Sequence, residues 1–190
     1  MNKQKQKCFV LVFLIFYLLQ ISFAISLPSG NAEYDKDAFS SAQKAIKQKA
    51  EDVAKQVEIY IKSNPELTVL DLQNDSYFQN IAVQPVGKIG YTALTDYNTL
   101  ICKFHKNPAI INLQLKTLAE KLPGFWSIMS KTKGGYEAEG TYDWEEADGT
   151  IKQKYMYIAL VNAKTADGVG LSVAATTYLD EYEETASELI

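Results

Sequence analysis

Residues 134–178 read GGYEAEGTYDWEEADGTIKQKYMYIALVNAKTADGVGLSVAATTY, and this stretch decides the fold. Three strand-like runs are punctuated by turn glycines, with aromatics and a lysine interrupting their apolar faces. Glu146 to Thr150 fits a three-residue loop with Gly149 in the left-handed position of a G1 bulge. That loop sets Tyr142 opposite Lys154 and Trp144 opposite Lys152. One face then carries Ala138, Gly140, Tyr142 and Trp144 against Lys154, Met156 and Ile158. The other carries Glu139, Thr141 and Asp143 against Gln153, Tyr155 and Tyr157. A four-residue loop would shift the register by one and exchange the faces.

The first face is the more apolar, yet Lys154 stands in its middle. A buried ammonium is costly unless paired. A bound carboxylate would pair it, with Tyr142 O–H and Trp144 N–H as neutral donors. The other reading is that Lys154 carries its charge to the rim or pairs with a structural acid.

Working outward, residues 37–63 show Phe39, Ala42, Ile46, Ala50, Val53, Val57 and Tyr60 at helical spacing between Lys, Gln and Glu. The stripe predicts a helix packed along the sheet; its seven-residue repeat also suits a seam with a second copy of the chain. Asn64-Pro65 stops the helix. Thr68 and Asp75 are N-caps for short helices through Leu72 and Ile81. A hairpin follows, Tyr91–Thr95 and Leu100–Phe104, then a helical stretch from Leu113 to Thr132 broken at Pro123-Gly124. Asp180 caps a terminal helix through Leu189. This order is α+β with a five-stranded antiparallel sheet, because hairpins need no crossover helices.

Lys3, Lys5 and Lys7 precede an uncharged run from Cys8 to about Ile25. Basic then apolar is the order of a secretory signal, with Ser22 and Ala24 placed for cleavage. The run is ~18 residues, the lower limit for a spanning helix, so a cleaved signal and a retained anchor both fit. Either puts the rest of the chain outside the cytoplasm. The expected organisation is signal or anchor over 1–24, linker over 25–36 and one domain over 37–190.

The formal charge of −4 becomes −7 once those three lysines are set aside, which argues against a nucleic-acid partner. Every base is lysine, so a bound anion would be held without the guanidinium fork. Cys8 lies in the apolar run and leaves Cys102 alone, so no disulfide framework forms; Cys102 reads as a small hydrophobe in a strand. His105, the single histidine, has no acids or cysteines at metal-ligand spacing; it reads as a loop hydrogen-bonder, with a general base as the sharper alternative. Asp143, Glu145 and Glu146 read as a solvated turn, and no cofactor motif stands out.

Gly87-Lys88-Ile89-Gly90-Tyr91-Thr92-Ala93-Leu94-Thr95-Asp96 resembles the first hairpin of the Cache domains, PAS-like extracytoplasmic sensor modules of prokaryotic chemoreceptors and histidine kinases. Phe104-His105-Lys106-Asn107-Pro108 is similar to the family's H-P-N-P segment. Phe125-Trp126, Tyr142-Asp143-Trp144, Lys154-Tyr155 and Ala175 to Glu181 fall where single-Cache sensors carry similar residues. The resemblance covers about residues 37–185. It implies a long N-terminal helix beside a five-stranded sheet, with short helices over a ligand pocket. Members sense carboxylates, amino acids and amines. The chain lacks the arginine of the amino-acid-binding subgroup and carries no second span, HAMP, kinase or chemotaxis module, so a signal would pass to a separate, membrane-bound partner.

The reading from residues and resemblance together is a non-enzymatic sensor module for a small organic ligand such as a carboxylate. Its expected ligand-binding residues are His105, Trp126, Tyr142, Trp144, Lys154 and Met156. An envelope protein dimerising through residues 37–63, and a small secreted hydrolase using His105, are the competing classes.

Overall fold

The computed structural model describes residues 31–146 and 148–181. Of the two units into which the chain divides, Asp35–Ile190 holds the sheet and the cavity. The expected signal or anchor segment, the side chain of Phe39 and the terminal helix beyond Glu181 lie outside the described residues.

Helix α1, Asn31–Ser63, lays Ala42, Ile46, Ala50, Val53, Val57 and Ile61 against the sheet, each at most 2% accessible. Burying a Val or Ile side chain contributes about 1.5–3 kcal/mol, so this stripe anchors the helix. Ile46 and Val53 lie inside the domain core, as the helix-on-sheet reading of the stripe expects, and not at a seam with a second copy. Helix α1 ends where Asn64 turns its Nδ2 onto the Tyr60 carbonyl, 2.8 Å away, and Pro65 follows.

Thr68 and Asp75 cap the next two helices as the sequence predicts. In α2, Val69–Asn74, Thr68 and Asp71 form a reciprocal capping box. In α3, Ser76–Ala82, the Asp75 carboxylate accepts from the Tyr77 and Phe78 N–H groups. The same carboxylate accepts from the Tyr60 hydroxyl, tying the cap to α1. Phe78 then bridges Tyr60 and Phe104 with ring centroids 5.1 and 5.0 Å apart, which joins α1 to the sheet.

The strands are β1 (Pro85–Val86), β2 (Gly90–Asp96), β3 (Ile101–Phe104), β4 (Ala138–Glu145), β5 (Ile151–Lys164) and β6 (Gly170–Tyr178). All pair antiparallel in the order β2-β6-β5-β4, with β1 and β3 both on the outer side of β2. The sheet has six strands where five were expected; β1 is two residues long and leaves no period-2 signal to read. The rest is the α+β layout that the resemblance to Cache domains implies.

The segment before β4 also differs from expectation. Pro108–Ile110, Leu115–Leu118 and Ser130–Thr132 are 3-10 turns, and only α4, Pro123–Met129, is an α-helix. Pro123 opens that helix instead of breaking one, since the first helical position needs no N–H donor.

The β4–β5 register is the one the loop chemistry predicts. Gly149 sits at φ +85°, Glu146 N–H donates to the Thr150 carbonyl, and Tyr142 pairs with Lys154 and Trp144 with Lys152. Tyr155 and Tyr157 consequently face α1, and Tyr142, Met156 and Ile158 face the short helices. Both faces of the sheet are covered, each by its own apolar cluster.

Candidate ligand-binding site

The covered face opposite α1 holds a cavity of about 230 Å³. Strand register explains its floor. Tyr178, Lys154 and Tyr142 stand in one row across β6, β5 and β4. Tyr91, Thr176, Met156 and Gly140 form the next row, and Ala93, Ala174, Ile158 and Ala138 the third. The floor thus grades from polar to apolar along the strands, and its alanines leave room above them. The roof is Leu115 and Leu118 from a 3-10 turn, with Leu122, Phe125 and Met129 at α4. Gly124 and Gly140 let α4 lie close: a Cβ at Gly124 would stand 3.1 Å from Tyr142 Cβ, and one at Gly140 3.1 Å from Ile128 Cδ1.

Lys154 is half-buried in this lining, and aromatic faces surround its charge. Its Nζ lies 4.1 Å from the Trp144 ring centroid and 4.2 Å from that of Tyr178. Burial holds the ammonium below the usual lysine range, while the carboxylates of Glu146 and Glu181 act in the opposite direction. Neither carboxylate lines the cavity, and among the described residues no Asp or Glu does.

Two hydrogen-bond chains settle which tyrosine can donate. Thr176 Oγ1 donates to the Tyr155 carbonyl at 2.9 Å, which uses its one proton. The Tyr142 hydroxyl, 3.0 Å from Thr176 Oγ1, must then be the donor of that pair. Tyr142 is therefore left as an acceptor toward the cavity, which corrects the expectation that it donates to a ligand. Burial raises its phenol well above the ordinary range, so it stays neutral.

At the other end, Asn107 N–H donates to His105 Nδ1 at 2.9 Å. An N–H can only donate, so Nδ1 bears the lone pair and the neutral ring carries its proton on Nε2. Nε2 lies 3.1 Å from the Tyr91 hydroxyl. Burial pushes the imidazole down, with the Asn107 backbone acting in the opposite direction, which favours this neutral form. Both ring nitrogens are occupied, and neither partner is a carboxylate.

Five of the six expected residues, His105, Tyr142, Trp144, Lys154 and Met156, line the one cavity. Trp126 does not; it packs half-buried against the roof cluster while its neighbour Phe125 reaches the lining. The sequence reading missed Tyr91, Thr176 and Tyr178 as partners. Tyr91 had a signal, since it shares a face with Ala93 and Thr95 at period 2. Cys102 lies buried in the lining with its thiol pushed up to about 12, so it packs as a small hydrophobe. Among the described residues, no group of three His, Cys, Asp or Glu could hold a metal ion.

Fold and site together define an α+β domain with one face of its sheet walled over a small, mostly apolar cavity. No protein-family model matches the chain. No curated protein matches it in sequence. Among solved structures, it is similar to the ligand-binding domain of the Pseudomonas aeruginosa PAO1 amino acid chemoreceptor PctB in complex with L-Arg, at 13% identity and a TM-score of 0.38. That alignment covers 65% of this chain and 40% of the other, so the chain spans well under half of that structure.

Proposed function

We propose that this chain is a small-molecule-binding sensor module of the Cache type, acting outside the cytoplasm and passing its signal to a separate membrane-bound partner. The observation that carries the reading is the composition of the cavity. Among the described residues, its lining holds one lysine, no carboxylate and a majority of apolar side chains. At about 230 Å³ it lies below the ~300–1,000 Å³ of drug-sized pockets, so its ligand is a small organic molecule. The ammonium in the lining favours a carboxylate; an ammonium ligand would meet its repulsion with no carboxylate among the described lining residues to offset it.

Extracytoplasmic location rests on the lysines and apolar run of the N-terminus. Binding without turnover rests on His105, whose two nitrogens serve Asn107 and Tyr91 and which has no orienting acid as a hydrogen-bond partner among the described residues.

A thermal-shift screen across organic acids, amines and amino acids tests the proposal. A ligand at about 100 times its Kd adds about 2.7 kcal/mol and raises the melting point by several degrees. Acids should give the hits. A broad screen without one would overturn the sensor reading, and turnover of any compound would replace it with an enzyme.

A further inference from the structure

Among the described residues, two hydroxyls of the cavity lining keep a proton without an acceptor, those of Thr95 and Tyr91, and only Tyr91 stands in the row next to that of Lys154. His105 Nε2–H donates into a lone pair of Tyr91 Oη, so the phenol keeps its own proton. No other hydrogen bond to that hydroxyl exists among the described residues. Tyr91 is half-buried and lines the cavity, in the floor row adjacent to Lys154, and its phenol acts electrostatically on those of Tyr142 and Tyr178. The Tyr142 proton is committed to Thr176, which leaves the Tyr91 O–H as the free phenol donor at this end.

We infer that Tyr91 is the second reader of the ligand: its O–H and the Lys154 ammonium together bind the acidic head, and His105 is the positioning residue that turns the Tyr91 proton into the cavity. This deepens the sensor reading and rests on it. The remaining lining sets the other end of the ligand. Leu115, Leu118, Leu122 and Met129 offer no polar side-chain group except the Met129 thioether, so the acidic head carries an apolar tail.

The arrangement has a consequence in pH. The titratable and charged groups facing His105 across the cavity are Tyr91 from β2, Cys102 from β3, Tyr142 from β4 and Lys154 from β5, with Lys106 beside it. None is an acid. An anionic head therefore adds a negative charge to a lining that has none among the described residues, and favours the protonated imidazole. By linkage, the anion binds more tightly as pH falls from about 7.5 to 5.5. On protonation Nδ1 can donate to the Asn107 carbonyl, 3.2 Å away, and Nε2–H keeps its place on Tyr91.

The test uses the full chain labelled with nitrogen-15, in which a single histidine makes the imidazole signals unambiguous. Without ligand, the spectrum should show the Nε2–H tautomer at neutral pH; the Nδ1–H tautomer would overturn the positioning role outright. The probes are hexanoate, hexanol and hexylamine, which share a tail and differ in head. Hexanoate should bind most tightly and raise the His105 pKa, with Trp144 fluorescence as the readout. Tyr91→Phe should weaken hexanoate about tenfold, in the range of a hydrogen bond to a charged group, and leave hexanol nearly unaffected. His105→Leu should weaken it similarly. His105→Gln, which can present an amide N–H to Tyr91, should recover most of that loss at neutral pH but abolish the pH dependence. Unchanged hexanoate affinity in Tyr91→Phe, or a flat wild-type pH profile, would overturn the inference. If hexanoate fails on a wild-type chain showing the Nε2–H tautomer, it is the anion-pocket reading beneath that falls, and Tyr91 loses its role with it.

Discussion

Lys154 Nζ stands 4.1 Å from the ring of Trp144, although Trp144 pairs across the hairpin with Lys152. The contact is diagonal, and it closes one side of an aromatic clamp whose other side is Tyr178. Each cation–π contact contributes about 0.5–1 kcal/mol at exposed sites and more when desolvated. That gain opposes the desolvation of the ammonium.

Lys154→Met should therefore change the stability of the ligand-free chain by no more than about 1 kcal/mol, because the lost cation–π contacts and the relieved desolvation offset one another. The same variant should lose the thermal shift produced by carboxylates. Urea unfolding and a thermal-shift series on one preparation would check both. A loss of more than about 2 kcal/mol without ligand would make the ammonium a structural clamp between two rings.

Stability should decline as pH falls from neutrality into the range just below the ordinary histidine value. The folded-state pKa of His105 is depressed by burial, so the unfolded chain binds the proton first. The stabilisation is complete above about pH 6.5, falls below it, and is lost once pH passes the folded pKa. His105→Gln should remove this slope and leave the steeper loss at lower pH, where Asp71 and Asp75 are protonated away from their hydrogen-bond donors. Equilibrium unfolding of both chains across pH would decide it; identical slopes would remove His105 from the account.

Ile46→Glu and Val53→Glu should each unfold the domain. Both positions are fully buried between α1 and the sheet, where an unpaired carboxylate costs several kcal/mol. Circular dichroism and gel filtration of the two variants are sufficient. A folded monomer from either would restore the idea of a dimer seam.

Gly90→Ala should cost about 3 kcal/mol or more for a steric reason alone. A Cβ there would lie 2.2 Å from the Thr176 carbonyl oxygen and 2.6 Å from that of Val86, and neither backbone can move without breaking the β1–β2–β6 pairing. Gly149→Ala is the control: nothing lies within 4 Å of its added Cβ, and only the positive φ is strained, at about 1 kcal/mol. Comparable losses from the two would contradict this account.

Much of the fold was legible because its determinants are local in the chain. Thr68 with Asp71 and Asp75 with Tyr77 satisfy helix ends within three residues, and the Glu146–Thr150 loop sets the whole β4–β5 register through one left-handed glycine. The α1 stripe was equally plain, but not its partner, because periodicity names a buried face without saying whether a sheet or a second chain covers it. Much of the site depended on contacts distant in sequence. Tyr91 meets Thr176 across 85 residues of chain, and Tyr178 closes on Lys154 only because β6 lies between β2 and β5. Hydroxyl protons are assigned only once such partners are in place, so the sequence by itself determined an α+β domain with a lysine on an apolar face. Tertiary packing decided that aromatic rings hold that lysine, that Trp126 stands outside the cavity, and that Tyr91 has the proton to offer.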